Sequence, residues 1–301
     1  MKTLVPAIYH AILFAFAVSE IKAQVDQSSF AIYAKMDNDY FTGTDLYYTN
    51  GVEVGTLFQP KSLTKNKYYH ITLSQDIYTP SSLSDKNLRL NDYPYAGLLM
   101  LQAGKTRYDQ KKGYRFQQYA DIGIMGPNAK GEQMQTWFHK LIDDELPQGW
   151  DHQVSTKVII NYGNLYERRL LKVGNHMEAT AGAGAFLGTL KSGFDLGIRN
   201  RFGWLRSYFQ SPFENRKRAL ELFSDVHFMY LINDGILSTK NKDGVPVVDE
   251  SFVNNAQWKV TVGILIHLPK AQLLCSLSKL NEPFTGAANH RYGTVGFIVF
   301  I

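Results

Sequence analysis

Three polar segments of this chain concentrate side chains able to hold a cation, move a proton or steady a developing negative charge. Residues 36–51 read MDNDYFTGTDLYYTNG, so Asp37, Asn38, Asp39 and Asp45 lie within nine positions. Oxygen donors at that density suit calcium, which takes carboxylate, amide and carbonyl ligands. The same residue types serve turns equally well, because Asn and Asp side chains bond their own backbone, and the spacing is not that of an EF-hand loop. Residues 75–98 read QDIYTPSSLSDKNLRLNDYPYAGL and supply Lys86, Arg89 and Asp92. A lysine there can pair with a phosphate or a developing oxyanion, or stay solvated. Residues 121–151 read DIGIMGPNAKGEQMQTWFHKLIDDELPQGWD and contain His139. Imidazole is the usual general base near neutral pH, although surface histidines are common.

Other hydrolytic machinery is missing. The sequence has no G-x-S-x-G elbow, no H-E-x-x-H zinc motif, no Walker A loop and no G-x-G-x-x-G fingerprint. Its single cysteine, Cys275, sits in the apolar run LLCSL, reads as structural and permits no internal disulfide. Gly182-Ala183-Gly184 lies in strand-like sequence and suits close packing.

The elements that must carry these residues are strands. Runs with a period of two recur near 29–37, 47–59, 66–79, 95–107, 112–125, 152–165, 170–183, 190–201, 218–232, 256–269, 271–282 and 289–301. Twelve is an even number, as bacterial outer-membrane barrels require. In the last run Val295, Phe297, Val299 and Ile301 alternate with Thr294, Gly296, Ile298 and Phe300, giving one wholly apolar face. One segment departs from the pattern. Met134, Trp137, Phe138 and Leu141 recur at helical spacing and predict a short amphipathic helix over 128–143, set in a long loop. With odd-numbered strands running outward, the connections near 38–47, 80–94 and 126–151 share the extracellular side, and they hold the three polar segments.

The N-terminus fits export. Lys2 precedes an apolar stretch over 4–19, and Ala23 offers a cleavage point, so residues 1–23 read as a signal peptide and 24–301 as the barrel. A transmembrane anchor is the alternative, but the stretch is short and interrupted by Pro6 and His10. The net charge of +5 favours anionic surfaces such as phosphorylated lipid. No basic-aromatic stripe points to nucleic acid.

Taken together, the motifs DNDYF and TDLYYTNG at 37–51, QDIYTP at 75–80, DYPYAG at 92–97 and DIGIMGPNAKGEQMQTWFH at 121–139, extended by QGWD at 148–151, resemble the lipid A 3′-O-deacylase (LpxR-like) family of outer-membrane proteins. The resemblance covers the mature N-terminal half by motif and the C-terminal half by strand pattern. It implies an all-β, twelve-stranded antiparallel transmembrane β-barrel, acting as a monomer, with its site facing outward. It implies calcium-dependent removal of an ester-linked acyl or acyloxyacyl chain from the lipid A of lipopolysaccharide. Carried across, Asn38 and Asp39 match the family's Asn-Asp pair and its metal-binding position. Thr49 matches the threonine of the Y-T-x-G turn, and His139 the histidine that closes the last motif. Lys86 stands nearest the functional lysine, with spacing about one residue different. Two other readings remain open on sequence grounds: a phospholipase-type acyl hydrolase, and a non-enzymatic porin or adhesin.

Overall fold

The computed structural model describes residues 29–43, 46–60, 66–87, 90–143, 145–241 and 243–301. The expected signal peptide at 1–23, Asp45 and Arg89 lie outside them.

Twelve antiparallel strands close on themselves. They are β1 Ser29–Asn38, β2 Tyr47–Gln59, β3 Lys67–Thr79, β4 Ala96–Asp109, β5 Tyr114–Met125, β6 Lys157–Val173, β7 Met177–Gly188, β8 Lys191–Trp204, β9 Ala219–Asp234, β10 Ala256–His267, β11 Ala271–Leu280 and β12 His290–Phe300. Closure pairs β1 with β12, from Ala31 opposite Phe300 to Asn38 opposite Gly293. The alternation read from sequence is the wall itself. Ile122, Ile160, Leu196, Val262, Leu277 and Val295 point outward and are exposed. So continuous an apolar belt would be a liability in water; in a bilayer it is the surface that lipid requires. Cys275 belongs to this outer face and is exposed and free.

Two strands differ from the sequence reading. The runs expected at 152–165 and 170–183 are Lys157–Val173 and Met177–Gly188. The charged stretch Glu167-Arg168-Arg169 looks like a break, yet it is strand. Glu167 faces the lumen and pairs with Arg115 (Nε to Oε2, 2.6 Å), and Arg169 pairs with Glu178 at 3.0 Å. The true turn is at Gly174, whose φ of +55° suits glycine.

The interior is filled at both mouths. At one end Tyr47, Tyr93, Ile236, Leu237, Val248 and Phe284 pack as an apolar cap. Burial holds the Tyr93 phenol well above its ordinary range, so it serves as a neutral cap residue. At the other end the connection 205–218 turns back into the barrel. Tyr208 donates to Glu167 Oε1 at 2.7 Å, Ser211 donates to Gln59 Oε1 at 2.6 Å, and Phe209 is fully buried. Beside it Arg201 forks onto Glu221 (2.8 and 2.6 Å) and reaches Glu178 (2.7 Å). Guanidinium geometry matches such bidentate pairing.

The Arg201 cluster makes the inner scaffold testable. Arg201→Ala leaves two buried carboxylates facing each other, which costs about 3–5 kcal/mol. The midpoint of thermal unfolding, read by heat-modifiable gel migration, should fall clearly; an unchanged midpoint would remove this cluster from the scaffold.

Candidate active site

The β1–β2 connection shapes the first part of the site. Asn38 ends β1 and caps a single 3-10 turn, Asp39–Thr42, by accepting the Tyr40 N–H at 2.8 Å. Gly43, at φ +69°, closes that turn. Asp39 is 1% exposed, and its Oδ2 accepts the Leu46 N–H at 2.9 Å. Across the ladder Asn38 faces Asn50, and both have the outward parity of Met36. The β2–β3 register slips between Tyr48 and Asn50, so Thr49 sits in a bulge. Bulges re-aim side chains; here the Thr49 hydroxyl meets Thr79 Oγ1 at 2.7 Å.

Behind this patch the wall is stiffened from inside. Asp37 accepts the Thr294 hydroxyl at 2.8 Å and the Tyr48 hydroxyl at 3.0 Å, and the Lys35 ammonium lies 3.5 Å away. Tyr48 also reaches Asp76 Oδ1 at 3.2 Å. Residues that alternate with the rim patch, Asp37 beside Asn38 and Tyr48 beside Thr49, are thus anchored in the lumen. Nothing in the sequence motifs distinguishes Asp37 from its neighbours except strand parity.

The second part is the helix, α1, Gly131–Ile142. It lies outside the barrel, against β3 and β4. Its buried residues are Gly131, Gln135 and His139, one stripe at intervals of four. Of the expected stripe, Met134, Trp137 and Leu141 face away from the wall, with Trp137 60% exposed, while Phe138 is half-buried. This facing follows from the solvent. A helix on a soluble core buries its apolar face, whereas one at a membrane edge turns that face to lipid and its small and polar residues to protein. Two glycines permit the contact: a Cβ placed on Gly97 of β4 would come within 2.8 Å of the Gly131 Cα. Gln75 of β3 donates to Ala129 O at 2.7 Å. Trp150, from the QGWD stretch, packs with Ile77, Leu83 and Tyr95, and its Nε1 donates to Gln135 Oε1 at 2.8 Å.

His139 is 4% exposed, and its Nδ1 bonds Glu145 O at 2.5 Å. A carbonyl oxygen only accepts, so Nδ1 carries the hydrogen. In the neutral ring Nε2 then keeps a lone pair, the form a general base needs. Glu145 acts here through its backbone, which leaves no sequence signal. Lys86 is exposed on the β3–β4 connection. Asp92 pins that connection by accepting from Ser81 N (3.1 Å), Ser81 Oγ (2.7 Å) and Tyr93 N (2.7 Å), a turn role rather than a charged contact to a ligand.

Asn38, Asp39 and Thr49 therefore form one contiguous patch on β1 and β2. His139 comes from the helix laid over β3 and β4, and Lys86 from the connection between those strands. All five share one end of the barrel and one sector of its circumference. Asp39 and Asn38 offer two hard oxygens of the six to eight that calcium takes. Among the described residues no group of three His, Cys, Asp or Glu forms a metal cluster, so a calcium ion bound there would need its remaining oxygens from backbone, water or substrate.

A closed barrel with an apolar outer wall and a polar patch at its membrane edge defines an outer-membrane β-barrel. The chain belongs to the LpxR family of outer membrane proteins, whose model matches residues 8–301. In structure it is similar to LpxR from Salmonella typhimurium, with a TM-score of 0.78 at 17% identity over 90% of this chain and 100% of that one. The β domain of the Bordetella autotransporter BrkA follows at a TM-score of 0.47 and 9% identity, covering 90% of this chain and 98% of that one. No curated protein matches the chain in sequence.

The glycine contact gives a test of the helix's seat. Gly131→Ala forces a methyl into the Gly97 backbone, and overpacking costs about 1–3 kcal/mol. Trypsin cleavage after Lys130 and Lys140 should accelerate roughly five- to hundredfold through local opening, while the barrel stays resistant. Equal cleavage rates would show that the two backbones are not in tight contact.

Proposed function

We propose that this protein hydrolyses an ester-linked acyl or acyloxyacyl chain, in the 3′-O position, from the lipid A of lipopolysaccharide in the outer leaflet. The observation that carries the reading is where His139 stands. An imidazole whose Nδ1 is engaged by the Glu145 carbonyl, with Nε2 left over, is held against the outer wall in the same sector as Asn38, Asp39 and Thr49. A site for a water-soluble substrate or a pore would open into the lumen. This one stands on the outer side of the wall, the side that lipid covers and on which an acyl ester would lie.

His139 takes a proton from water as it attacks the ester carbon, then returns it to the sugar oxygen as the acyl carbon–oxygen bond breaks, releasing a fatty acid and a free hydroxyl. Its Nδ1–H to Glu145 O bond keeps the ring oriented and steadies the imidazolium that forms. Asn38 and Asp39 would hold calcium, which when bound polarises the ester carbonyl and stabilises negative charge on oxygen. Thr49, fixed by Thr79, orients its neighbours, and Lys86 offers positive charge to a lipid phosphate. The exposed Met134, Trp137 and Leu141 line the side on which acyl chains arrive. Water as nucleophile accounts for the missing serine elbow.

The filled lumen speaks against a porin, because both mouths are occupied by packed side chains. A phospholipase-type activity shares the ester chemistry and differs in headgroup.

Three measurements test this reading. His139→Ala should lower deacylation by at least about a hundredfold, the usual scale for losing a general base, while the protein still inserts with wild-type heat-modifiability. Mass spectra of lipid A from cells expressing the wild type should show loss of one acyl or acyloxyacyl group; unchanged spectra would falsify the proposed substrate, and turnover of phospholipid in detergent instead would favour the phospholipase reading. EDTA should abolish the activity and added calcium restore it; a rate indifferent to chelation takes the metal out of the mechanism.

A further inference from the structure

The end of the barrel away from the site carries an unpaired cationic sector on its lipid-facing side. Lys67 of β3 and Lys105 and Arg107 of β4 have the outward parity of Ile71, Leu73 and Leu101. Arg168 of β6 has that of Ile160 and Tyr162. Strand register gathers them: Lys67 stands opposite Arg107, Tyr69 opposite Lys105, Arg107 opposite Phe116, and Tyr114 opposite Arg168. Aromatic rings interleave. Phe58 stacks on Tyr69 with centroids 5.5 Å apart, and Tyr114 on Tyr166 at 6.0 Å. Lys111 and Lys112, exposed in the β4–β5 turn, extend the charge.

Two contrasts separate this sector from an ordinary charged rim. Inside the barrel Arg115, Arg169, Arg199 and Arg201 are each ion-paired. Among the described residues, none of the four outward cations has an acidic partner. Elsewhere at the same end the outward strand positions of β8 to β11 are mostly apolar, among them Phe202, Trp204, Leu220, Leu222, Ile266 and Leu273, and the polar pair there, Asn200 and Ser224, is uncharged and mutually bonded at 3.5 Å. Arg216, Lys217, Arg218 and Lys270 are exposed at the same end, but they stand on the connections; among the described residues, the strand-borne cations that face lipid occupy one side only.

We propose that this sector is a docking site for the headgroup of an anionic phospholipid in the periplasmic leaflet. The inference rests on the short-turn end facing the periplasm, as in bacterial barrels, and not on the enzymatic reading. The aromatic rings mark the depth of the headgroups. Lysine and arginine at that depth attract anionic lipid, and the guanidinium fork matches a phosphate. A zwitterionic headgroup brings its own cation, which this patch repels, so the preference is for net negative charge. The sector lies on strands that also carry α1 at the opposite end, and the bound lipid would hold that side of the wall at a fixed depth.

The test uses the whole folded protein in detergent, with phosphatidylglycerol and phosphatidylcholine as probes and retained lipid counted by native mass spectrometry. The wild type should retain phosphatidylglycerol at least about tenfold more strongly than phosphatidylcholine. The quadruple variant Lys67→Gln, Lys105→Gln, Arg107→Gln, Arg168→Gln should lose that preference, and the charge-keeping pair Lys67→Arg, Lys105→Arg should retain it. Should the quadruple variant fail to fold, a salt series on the wild type decides, because the preference must collapse as screening increases. Equal retention of both lipids, a preference untouched by the four substitutions or by salt, or displacement of phosphatidylglycerol by lipopolysaccharide overturns the proposal.

Discussion

Hydrocarbon offers a backbone no hydrogen-bond partners, and this constraint fixes nearly everything else about the molecule. Every strand must pair on both sides, so β1 must find β12, and the sheet must close. Closure in turn sets side-chain parity: one residue to lipid, the next to the lumen. A polar site on such a wall can exist only where the lipid ends. Asn38, Thr49 and the helix with His139 all lie at that margin, and the loop reaches it by laying small and polar residues on the strands and presenting its apolar residues outward.

The interior complements this arrangement. Lumen-facing charges are expensive unless paired, and here they are paired into a continuous set running from Arg115 and Glu167 through Arg199 and Asp225 to Arg201, Glu178 and Glu221. Nearer the site the inner face supplies Asp37, Tyr48 and Thr294, which hold from within the strand residues whose neighbours form the patch outside. Those bonds fix the backbone from which the neighbouring patch residues project. The rigidity of the rim is thus built from both sides of a single layer.

Much of this was legible in the residue order. Ten of the twelve strands follow directly from alternation, because the outward half of a lipid-facing strand must be apolar. The polar segments stand out against that pattern and single out Asn38, Asp39 and His139 as candidates, whereas Thr49 enters only through the family resemblance. The misplaced pair, β6 and β7, failed where Glu167 and Arg169 point inward to partners far away in sequence, information no local window contains. The helix is legible but its facing stays open between lipid and wall, because amphipathic periodicity gives a stripe without saying which solvent the stripe meets. The Glu145 carbonyl and the Gly97–Gly131 approach are backbone facts, and side-chain identity is silent about the first and merely permissive of the second.

The plugged interior has a consequence for the cell that would carry this protein. A barrel of twelve strands left empty would let ions and small solutes leak through the permeability barrier that the outer membrane exists to maintain. With Phe209 and its loop seated at one mouth and the tyrosine-rich cap at the other, packed side chains obstruct that route. Copy number could then rise to match the amount of surface lipid to be remodelled without conductance rising alongside it.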